Sequence, residues 1–246
     1  MNNVLYITFI GFITGIIGTG GGGLLVVLLK RFDEKLLTFV LGISAGVMTV
    51  VVFLDLIPEA IELGSMGVAL LGMFLGVTII ALLDYIFPHE HFQGKPVVGD
   101  FYKTGILLAL GIALHNIPEG LAIGAAYSAT STLGISLAVI IGIHNFPEGM
   151  AVATSLSLAG LSSMKILFIT ILAGVPMGLG TFIGAYLGNI SQFFLSLSLG
   201  FAAGAMLFIT FDDLIPAAHK SNKGRSAILG ILIGVFAGIY LTTVLH

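Results

Sequence analysis

The stretch His-Asn-Ile-Pro-Glu-Gly at 115–120 returns as His-Asn-Phe-Pro-Glu-Gly at 144–149, and both copies lie inside long apolar runs. A carboxylate or imidazole at bilayer depth costs about 2–3 kcal/mol or more, so such groups are rare there without a partner, a pathway or a bound ion. Two copies of one polar motif in neighbouring apolar runs therefore indicate an ion site within a membrane.

The composition is that of an integral membrane protein. Hydrophobic residues make up 57% and charged residues 9% of 246 positions, and the mean hydropathy is +1.15. A soluble domain does not have these values. Eight runs are long enough to cross a bilayer as helices, which takes about 20 residues each. We number them spans 1 to 8 and place them at about 4–29, 36–61, 66–87, 104–127, 133–158, 164–187, 193–218 and 226–246. We predict an all-α protein with one transmembrane domain, residues 1–246.

Two further features of composition limit the chemistry. The chain has no cysteine, which excludes disulfides and thiolate metal sites. The run Gly-Thr-Gly-Gly-Gly-Gly at 18–23 lowers helix propensity, so we expect it to break span 1. A nucleotide-binding phosphate loop is not indicated there, because no Lys-Ser/Thr pair follows the glycines.

The cationic residues predict the orientation. All nine lie in or beside the connections after spans 1, 3, 5 and 7: Lys30, Arg31, Lys35, Lys95, Lys103, Lys165, Lys220, Lys223 and Arg225. The positive-inside rule makes that side cytoplasmic, with both termini external, in a plasma or inner membrane. No cationic side chain is then near the carboxylates of Asp55, Glu119, Glu148 and Asp213. Either a mobile cation neutralises them or some of them are protonated.

The chain also contains a longer repeat. The segment 41–60 aligns without gaps to 199–218, and both contain Leu-Gly-x-x-Ala-Gly-x-Met followed by Phe-x-Asp-Leu-Ile-Pro-x-Ala. Spans 2 and 7 cross the membrane in opposite directions, so this is an inverted-topology repeat. We expect three, two and three helices, with spans 4 and 5 as the central pair. A pseudo-two-fold axis in the membrane plane would bring the two polar motifs face to face.

The spacing inside each motif suits a metal ion. His115 and Glu119 are four residues apart, as are His144 and Glu148, and residues at that spacing share one helix face. Imidazole nitrogen and carboxylate oxygen suit Zn²⁺ and other first-row dications, so zinc, iron and manganese all stay open. The structural alternative is a histidine bonded to a neighbouring helix and a glutamate beside a proline kink. Two matching copies favour the metal.

The asparagines extend this arrangement. Asn116 and Asn145 are rotated by about 100° from their histidines and offer amide oxygens. Such oxygens suit an adjacent, harder site that shares the two carboxylates. The sequence therefore leaves room for a binuclear centre.

The duplicated His-Asn-x-Pro-Glu-Gly in the fourth and fifth of eight spans resembles the ZIP zinc/iron transporters, most closely their GufA-like branch. The resemblance covers nearly the whole chain. It implies a primary metal site of His115, Glu119, His144 and Glu148. It also implies a second site of Asn116 and Asn145, bridged by the two glutamates. One position departs from the family, because an acidic residue commonly precedes the proline of span 6, and here Val175 precedes Pro176.

Polar groups elsewhere fit a route for the ion. Asp55 and Glu59 close span 2, whereas Asp212, Asp213 and His219 close span 7, so the two sets should lie toward opposite membrane faces. Acidic mouths attract dications, although ordinary solvated interfacial groups are the alternative. The resemblance also implies a metal-binding histidine loop after span 3. His89 and His91 fit that loop, and so does a plain polar turn.

We therefore expect a transporter that moves Zn²⁺, with iron, manganese or cadmium as other cargoes, toward the cytoplasm, the direction being implied by the resemblance. We expect no catalytic cofactor and no enzymatic activity. An intramembrane zinc hydrolase is the rival, but the chain lacks His-Glu-x-x-His. A metal channel or sensor is a third reading. The expected partners are metal ions and the lipid bilayer, without nucleic acid, and a homodimer stays open.

Overall fold

The computed structural model describes residues 2–29, 34–86, 98–220 and 225–245, which are almost entirely helical and contain no strand. Span 1 is Asn2–Leu29, span 3 is Met66–Ile86, span 4 is Val98–Ala129, span 5 is Ser131–Leu158 and span 8 is Ser226–Leu245. Span 2 comprises Glu34–Val51, Val52–Leu56 and Ile57–Leu63; span 6 comprises Ser163–Gly174 and Pro176–Gly188; span 7 comprises Gln192–Ile209, Thr210–Leu214 and Ile215–Lys220.

The eight predicted spans are confirmed. Eight helices among the described residues are long and apolar enough to cross a membrane, and each matches one predicted run to within a few residues. Span 6 is interrupted at Val175, next to Pro176. His89 and His91 lie outside the described residues.

The expected break in span 1 is wrong, because the helix continues through 18–23. These glycines let span 1 approach other helices closely. A methyl group on Gly18 would lie 3.0 Å from the Cβ of Asn145, and one on Gly22 would overlap the carbonyl of Phe146. A bilayer also leaves a broken helix no water to satisfy its backbone. Packing and environment thus outweigh the low helix propensity of glycine.

The helices form two groups. Spans 1, 4, 5 and 6 pack together, and we call them the motif bundle because they contain both polar motifs. Spans 2, 3, 7 and 8 form the flanking bundle. The packing pairs obey the predicted inverted repeat. The repeat equates span 1 with span 6, span 2 with span 7, span 3 with span 8 and span 4 with span 5. Under this exchange, the contact of spans 1 and 5 becomes that of spans 6 and 4, and the contact of spans 2 and 8 becomes that of spans 7 and 3.

Glycines set the closest contacts inside each bundle. Between spans 3 and 7, a methyl group on Gly76 would overlap the carbonyl of Phe201, and one on Gly204 would overlap the carbonyl of Met73. The same reciprocal contact joins spans 2 and 8 through Gly42, Gly46, Gly230 and Gly234, and spans 4 and 6 through Gly120, Gly124, Gly180 and Gly184. Small residues at this spacing let helices touch backbone to backbone.

The repeat extends to a helix distortion. Span 2 contains a π-helical turn at Val52–Leu56 and span 7 contains one at Thr210–Leu214, which are aligned positions of the two copies. Each turn carries the aspartate of its copy, Asp55 or Asp213. π-turns within α-helices occur frequently at functional sites. The symmetry therefore directs attention to both aspartates.

The glycine contacts predict that two glycine-to-alanine variants differ in thermal stability. Gly204→Ala should lower the apparent melting temperature in detergent, because the new methyl group would push spans 3 and 7 apart, and overpacking of this kind costs about 1–3 kcal/mol. Gly67→Ala is the control, since a methyl group there meets only the Ser65 hydroxyl at 3.9 Å. Equal melting temperatures for the two variants would contradict the packing described for spans 3 and 7.

Candidate metal site

The two motifs meet in the middle of spans 4 and 5 and bring three metal-ligating side chains together. One ligand atom each from Glu119, His144 and Glu148 lies within 4.8 Å of the others, and all three residues are buried. The shortest link joins Nε2 of His144 to Oε1 of Glu119 at 3.2 Å. The set thus combines one imidazole with two carboxylates from facing helices.

Glu148 is the least satisfied member of this set. Its side chain is buried, and neither carboxylate oxygen has a hydrogen-bond partner in the part of the chain that the structure describes. The Nδ1 atom of His144 also has none there. A buried carboxylate without a partner is costly. A divalent cation held by these donors would offset that cost, and the donor types are those that zinc prefers.

The asparagines form a polar bridge next to the three ligands. Nδ2 of Asn145 donates to Oδ1 of Asn116 at 2.7 Å and to Oε2 of Glu119 at 2.8 Å. Nδ2 of Asn116 donates to the carbonyl of Ala173 in span 6 at 2.9 Å. The bridge ties spans 4, 5 and 6 together. Asn116 would offer its side-chain oxygen to a second metal ion. In this conformation that oxygen already accepts a hydrogen bond from the amide group of Asn145.

His115 stands apart from the other three predicted ligands. Its Nε2 atom lies 3.2 Å from Oδ2 of Asp213, which belongs to span 7 in the flanking bundle. The group drawn together by the structure is thus Glu119, His144 and Glu148, with His115 and Asp213 as a neighbouring pair. The sequence pattern placed His115 on the correct helix face but did not indicate which acid it would meet.

The other predicted pathway aspartate, Asp55, lies toward the opposite end of the structure. Ser196, at the start of span 7, donates to the carbonyl of Ala60 at 2.6 Å, so span 2 ends level with the start of span 7. Asp55 therefore lies toward one membrane face and Asp213 toward the other, as the inverted repeat predicts. The hydroxyl of Thr242 in span 8 donates to Oδ2 of Asp55 at 3.2 Å.

The remaining pathway candidates are less buried than the three ligands. Glu59 and Asp212 are half-buried. His219 is exposed, and its Nδ1 donates to the carbonyl of Ile215 in its own helix at 2.8 Å. These residues have no contact with the three ligands among the interactions described for them, and their role in a pathway stays a prediction.

Sequence reasoning missed two buried hydroxyl groups that make polar contacts between helices. Ser44 in span 2 donates to the backbone carbonyl of His144 at 2.8 Å, and Thr242 contacts Asp55. A signal for Ser44 was present, because the repeat aligns it with Ala202. Thr242 carried no signal, because nothing in its surrounding sequence distinguishes it from other polar residues near a span end.

An apolar cluster covers the ligands on one side. We call that side the 4–5 loop side, because span 4 ends there and span 5 begins. Buried residues of seven spans, 2 to 8, join in the cluster, among them Met48 of span 2, Ile123 of span 4, Leu137 of span 5 and Leu199 of span 7. Its buried members in spans 4 and 5 all lie on this side of the ligands. Because these spans come from both bundles, the cluster closes the gap between the bundles on this side.

The opposite side, where span 5 passes to span 6, is more polar. The second apolar cluster has buried members from the motif bundle alone, with only partly buried Val40 of span 2 packed against it from the flanking bundle. The Asp213 side chain is 17% exposed, and Asp212 is half-buried. Among the described residues, the gap between the bundles is therefore filled by buried apolar side chains on the 4–5 loop side, which we call the sealed side, and is more polar on the 5–6 loop side.

Comparison with known proteins identifies the family. A family model described as ZIP Zinc transporter matches residues 89–246, which include both motifs. The chain belongs to the ZIP family. Among its ZIP relatives, a protein named zinc transporter ZupT from Corynebacterium glutamicum is 37% identical over 240 residues, covering 89% of this chain and 91% of the relative.

Other relatives carry the same name. A zinc transporter ZupT from Akkermansia muciniphila is 33% identical over 243 residues, covering 89% of this chain and 90% of the relative. One from Clostridium perfringens is 33% identical over 269 residues, covering 96% and 94%. As a ZIP member, the chain is a multi-pass membrane transporter of divalent metal ions and not an enzyme, so the hydrolase alternative is not favoured.

The unpartnered carboxylate predicts how metal binding changes stability. Glu148→Gln should leave the metal-free protein as stable as the native chain or more so, because no hydrogen bond in the described structure is lost. The native chain at a zinc concentration 100 times Kd should gain about 2.7 kcal/mol, and the variant should lose most of that gain.

Thermal unfolding with and without Zn²⁺ measures both effects. His219→Ala serves as the control, because its exposed imidazole lies away from the site. A Glu148→Gln protein with the native zinc-induced shift in melting temperature would contradict the proposed ligand role.

Proposed function

We propose that this chain carries Zn²⁺ across a cell membrane toward the cytoplasm and holds the ion midway at Glu119, His144 and Glu148. The observation that carries the proposal is the buried Glu148 carboxylate, whose two oxygens have no hydrogen-bond partner in the described chain. The family match and the relatives named as zinc transporters support zinc as the cargo. Iron, manganese and cadmium ions would suit the same donors.

The orientation rests on charge, and the direction of transport on the family resemblance. The nine cationic residues gather at the connections after spans 1, 3, 5 and 7, which makes the 5–6 loop side cytoplasmic and leaves both termini external. The 4–5 loop side is then external. In this conformation the apolar cluster closes the site to the outside, and the more polar side faces the cytoplasm. The conformation is thus suited to release of the ion inward.

Transport requires a second conformation in which the external side is open and the cytoplasmic side is closed. The apolar cluster joins the two bundles through side chains, whereas glycine contacts hold each bundle together through its backbone. A movement of one bundle against the other is therefore the least disruptive way to open the external side. The inverted repeat supports such alternating access, because each half can take the place of the other.

Release is helped by the kind of ligand. Imidazole and carboxylate ligands can be protonated and lost one at a time, so metal affinity depends on pH. The pair His115 and Asp213 lies next to the three ligands on the cytoplasmic side. We infer that this pair receives the ion after it leaves the three-ligand site.

The proposed ligands predict the loss of transport. Glu119→Ala and His144→Ala should each lower saturable zinc uptake by more than about tenfold, because changes around a metal site commonly cost 10–100-fold in affinity or activity. Uptake into proteoliposomes measures this, with Thr78→Val as the control, because the Thr78 hydroxyl of span 3 makes an exposed hydrogen bond to the carbonyl of Phe74 in its own helix. Elution as a single folded species shows that the bundle persists. Native uptake in either ligand variant would remove the assignment.

The same assay separates carrier from channel or sensor. A carrier saturates, because each cycle moves one bound load through a conformational change. Zinc flux that rises without saturation would favour a channel, and zinc binding without flux would favour a sensor.

Val175 bears on a second metal ion. It lies at the junction of the two helices of span 6, two residues after Ala173, whose carbonyl accepts from Asn116. We propose that the valine weakens the second site, because no carboxylate from span 6 adds to the two asparagines and two glutamates. Whether a binuclear centre forms, and whether the chain dimerises, stay predictions.

Val175→Glu should therefore raise the zinc bound per protein from about one toward two, because it restores an acidic ligand beside the amide bridge. Elemental analysis of the purified protein measures the ratio. Val175→Gln is the matched control, since it adds similar bulk without charge. A ratio unchanged by the glutamate would count against this account of the second site.

A further inference from the structure

A single hydroxyl group ties the flanking bundle to a metal ligand. Ser44 of span 2 donates to the backbone carbonyl of His144 in span 5 at 2.8 Å. Ser44 is fully buried, and His144 is 2% exposed. Because this hydrogen bond crosses between the bundles, it must break when one bundle moves against the other.

The inverted repeat has no equivalent of this bond. The gap-free alignment of spans 2 and 7 places Ala202 at the position of Ser44. The equivalent of His144 is His115, in the other copy of the motif. Ala202 is buried in the apolar cluster and has no hydroxyl group with which to reach the His115 carbonyl. The bond therefore exists in one half of the molecule and cannot exist in the other.

The polar contacts described for the two repeat aspartates also differ. Asp213 lies 3.2 Å from His115, whereas its repeat equivalent Asp55 accepts a hydrogen bond from Thr242 within the flanking bundle. The two halves thus adopt different arrangements in this conformation. In an inverted-repeat carrier, the opposite conformation exchanges the arrangements of the two halves.

This exchange decides what happens to Ser44. Ser44 and His144 belong to different bundles, so the relative movement of the bundles would separate the Ser44 hydroxyl from the His144 carbonyl and break their bond. The Ser44 hydroxyl could then turn back to a carbonyl of its own helix, which is a weaker arrangement. The contact therefore favours the conformation described here over the opposite one.

We propose that Ser44 is a positioning residue that acts as a conformational latch, weighting the transporter toward the form sealed on the 4–5 loop side. This inference rests on the proposed function in so far as transport requires two conformations. One ordinary buried hydrogen bond corresponds to about a fivefold change in their ratio. A bias of this size tunes the rate of cycling without blocking it.

Thiol labelling tests the latch directly, because the chain has no cysteine and any introduced one is the sole reporter. Ala126→Cys places a thiol in the sealed apolar cluster, and Ala151→Cys places one at a half-buried position on the 5–6 loop side. A membrane-impermeant maleimide applied to each face of proteoliposomes gives the labelling rate at each reporter. The ratio of the two rates follows the ratio of the conformations.

Three substitutions are compared on each reporter. Ser44→Ala should raise the Ala126→Cys rate about fivefold relative to the Ala151→Cys rate, because the latch is lost. Ser44→Thr keeps the hydroxyl group and should leave the ratio within about twofold of the native value. Ala202→Ser supplies the missing equivalent bond to the opposite conformation and should also raise the ratio, and combined with Ser44→Ala it should raise it further.

Ser196→Ala is the matched control. Ser196 is likewise a buried serine that donates to a carbonyl of another span, that of Ala60 at 2.6 Å, but both partners belong to the flanking bundle. Its loss should leave the labelling ratio unchanged. A shift as large as that of Ser44→Ala would reduce Ser44 to a structural role and overturn the proposal.

The remaining outcomes are equally decisive. An unchanged ratio in folded Ser44→Ala overturns the latch, and if that variant fails to fold, an unchanged ratio in Ala202→Ser does so. The labelling needs no zinc flux, so it is independent of the cargo. A native chain that labels as expected but carries no zinc would refute the proposed function and leave the latch standing.

Discussion

Two carboxylates buried at mid-membrane depth impose the constraint on which the structure depends. Glu119 and Glu148 are fully or almost fully buried, and no lysine or arginine lies near the middle of any span. Such charge is tolerated in an apolar setting only with compensating partners. His144 and the asparagine bridge form hydrogen bonds with the Glu119 carboxylate. Glu148 has no hydrogen-bond partner in the described structure, and this is why an ion is the natural completion of the site.

The inverted repeat explains how one chain can present such a site to both faces of a membrane. The copies share their glycine contacts and their π-helical turns, yet their polar contacts differ, as Asp213 with His115 and Asp55 with Thr242 show. The scaffold is thus symmetric and the present conformation is not. An asymmetric conformation of a symmetric scaffold has a second conformation of similar energy, and that is the thermodynamic requirement for a carrier.

The sequence predicted the eight spans, the inverted repeat and the polar helix faces, because hydropathy and spacing determine them locally. It failed at 18–23, where glycine propensity indicated a break and close helix packing instead kept the helix whole. It could not decide which acid His115 would meet, because that depends on how the two bundles stand relative to each other. The repeat distinguishes Ser44 by aligning it with Ala202, but the partner of its hydroxyl could not be predicted, since backbone carbonyls carry no sequence signal.

The glycine contacts have a mechanical consequence. Where helix backbones are in contact, as at Gly204 and Met73, one helix cannot slide along the other without steric overlap. Where larger side chains fill the space between helices, as in the apolar cluster that includes Leu137 and Leu199, rotamer changes can absorb a displacement of a few ångströms. The fold therefore contains two rigid helix bundles that can shear against each other, and the proposed ion site lies beside the interface between them.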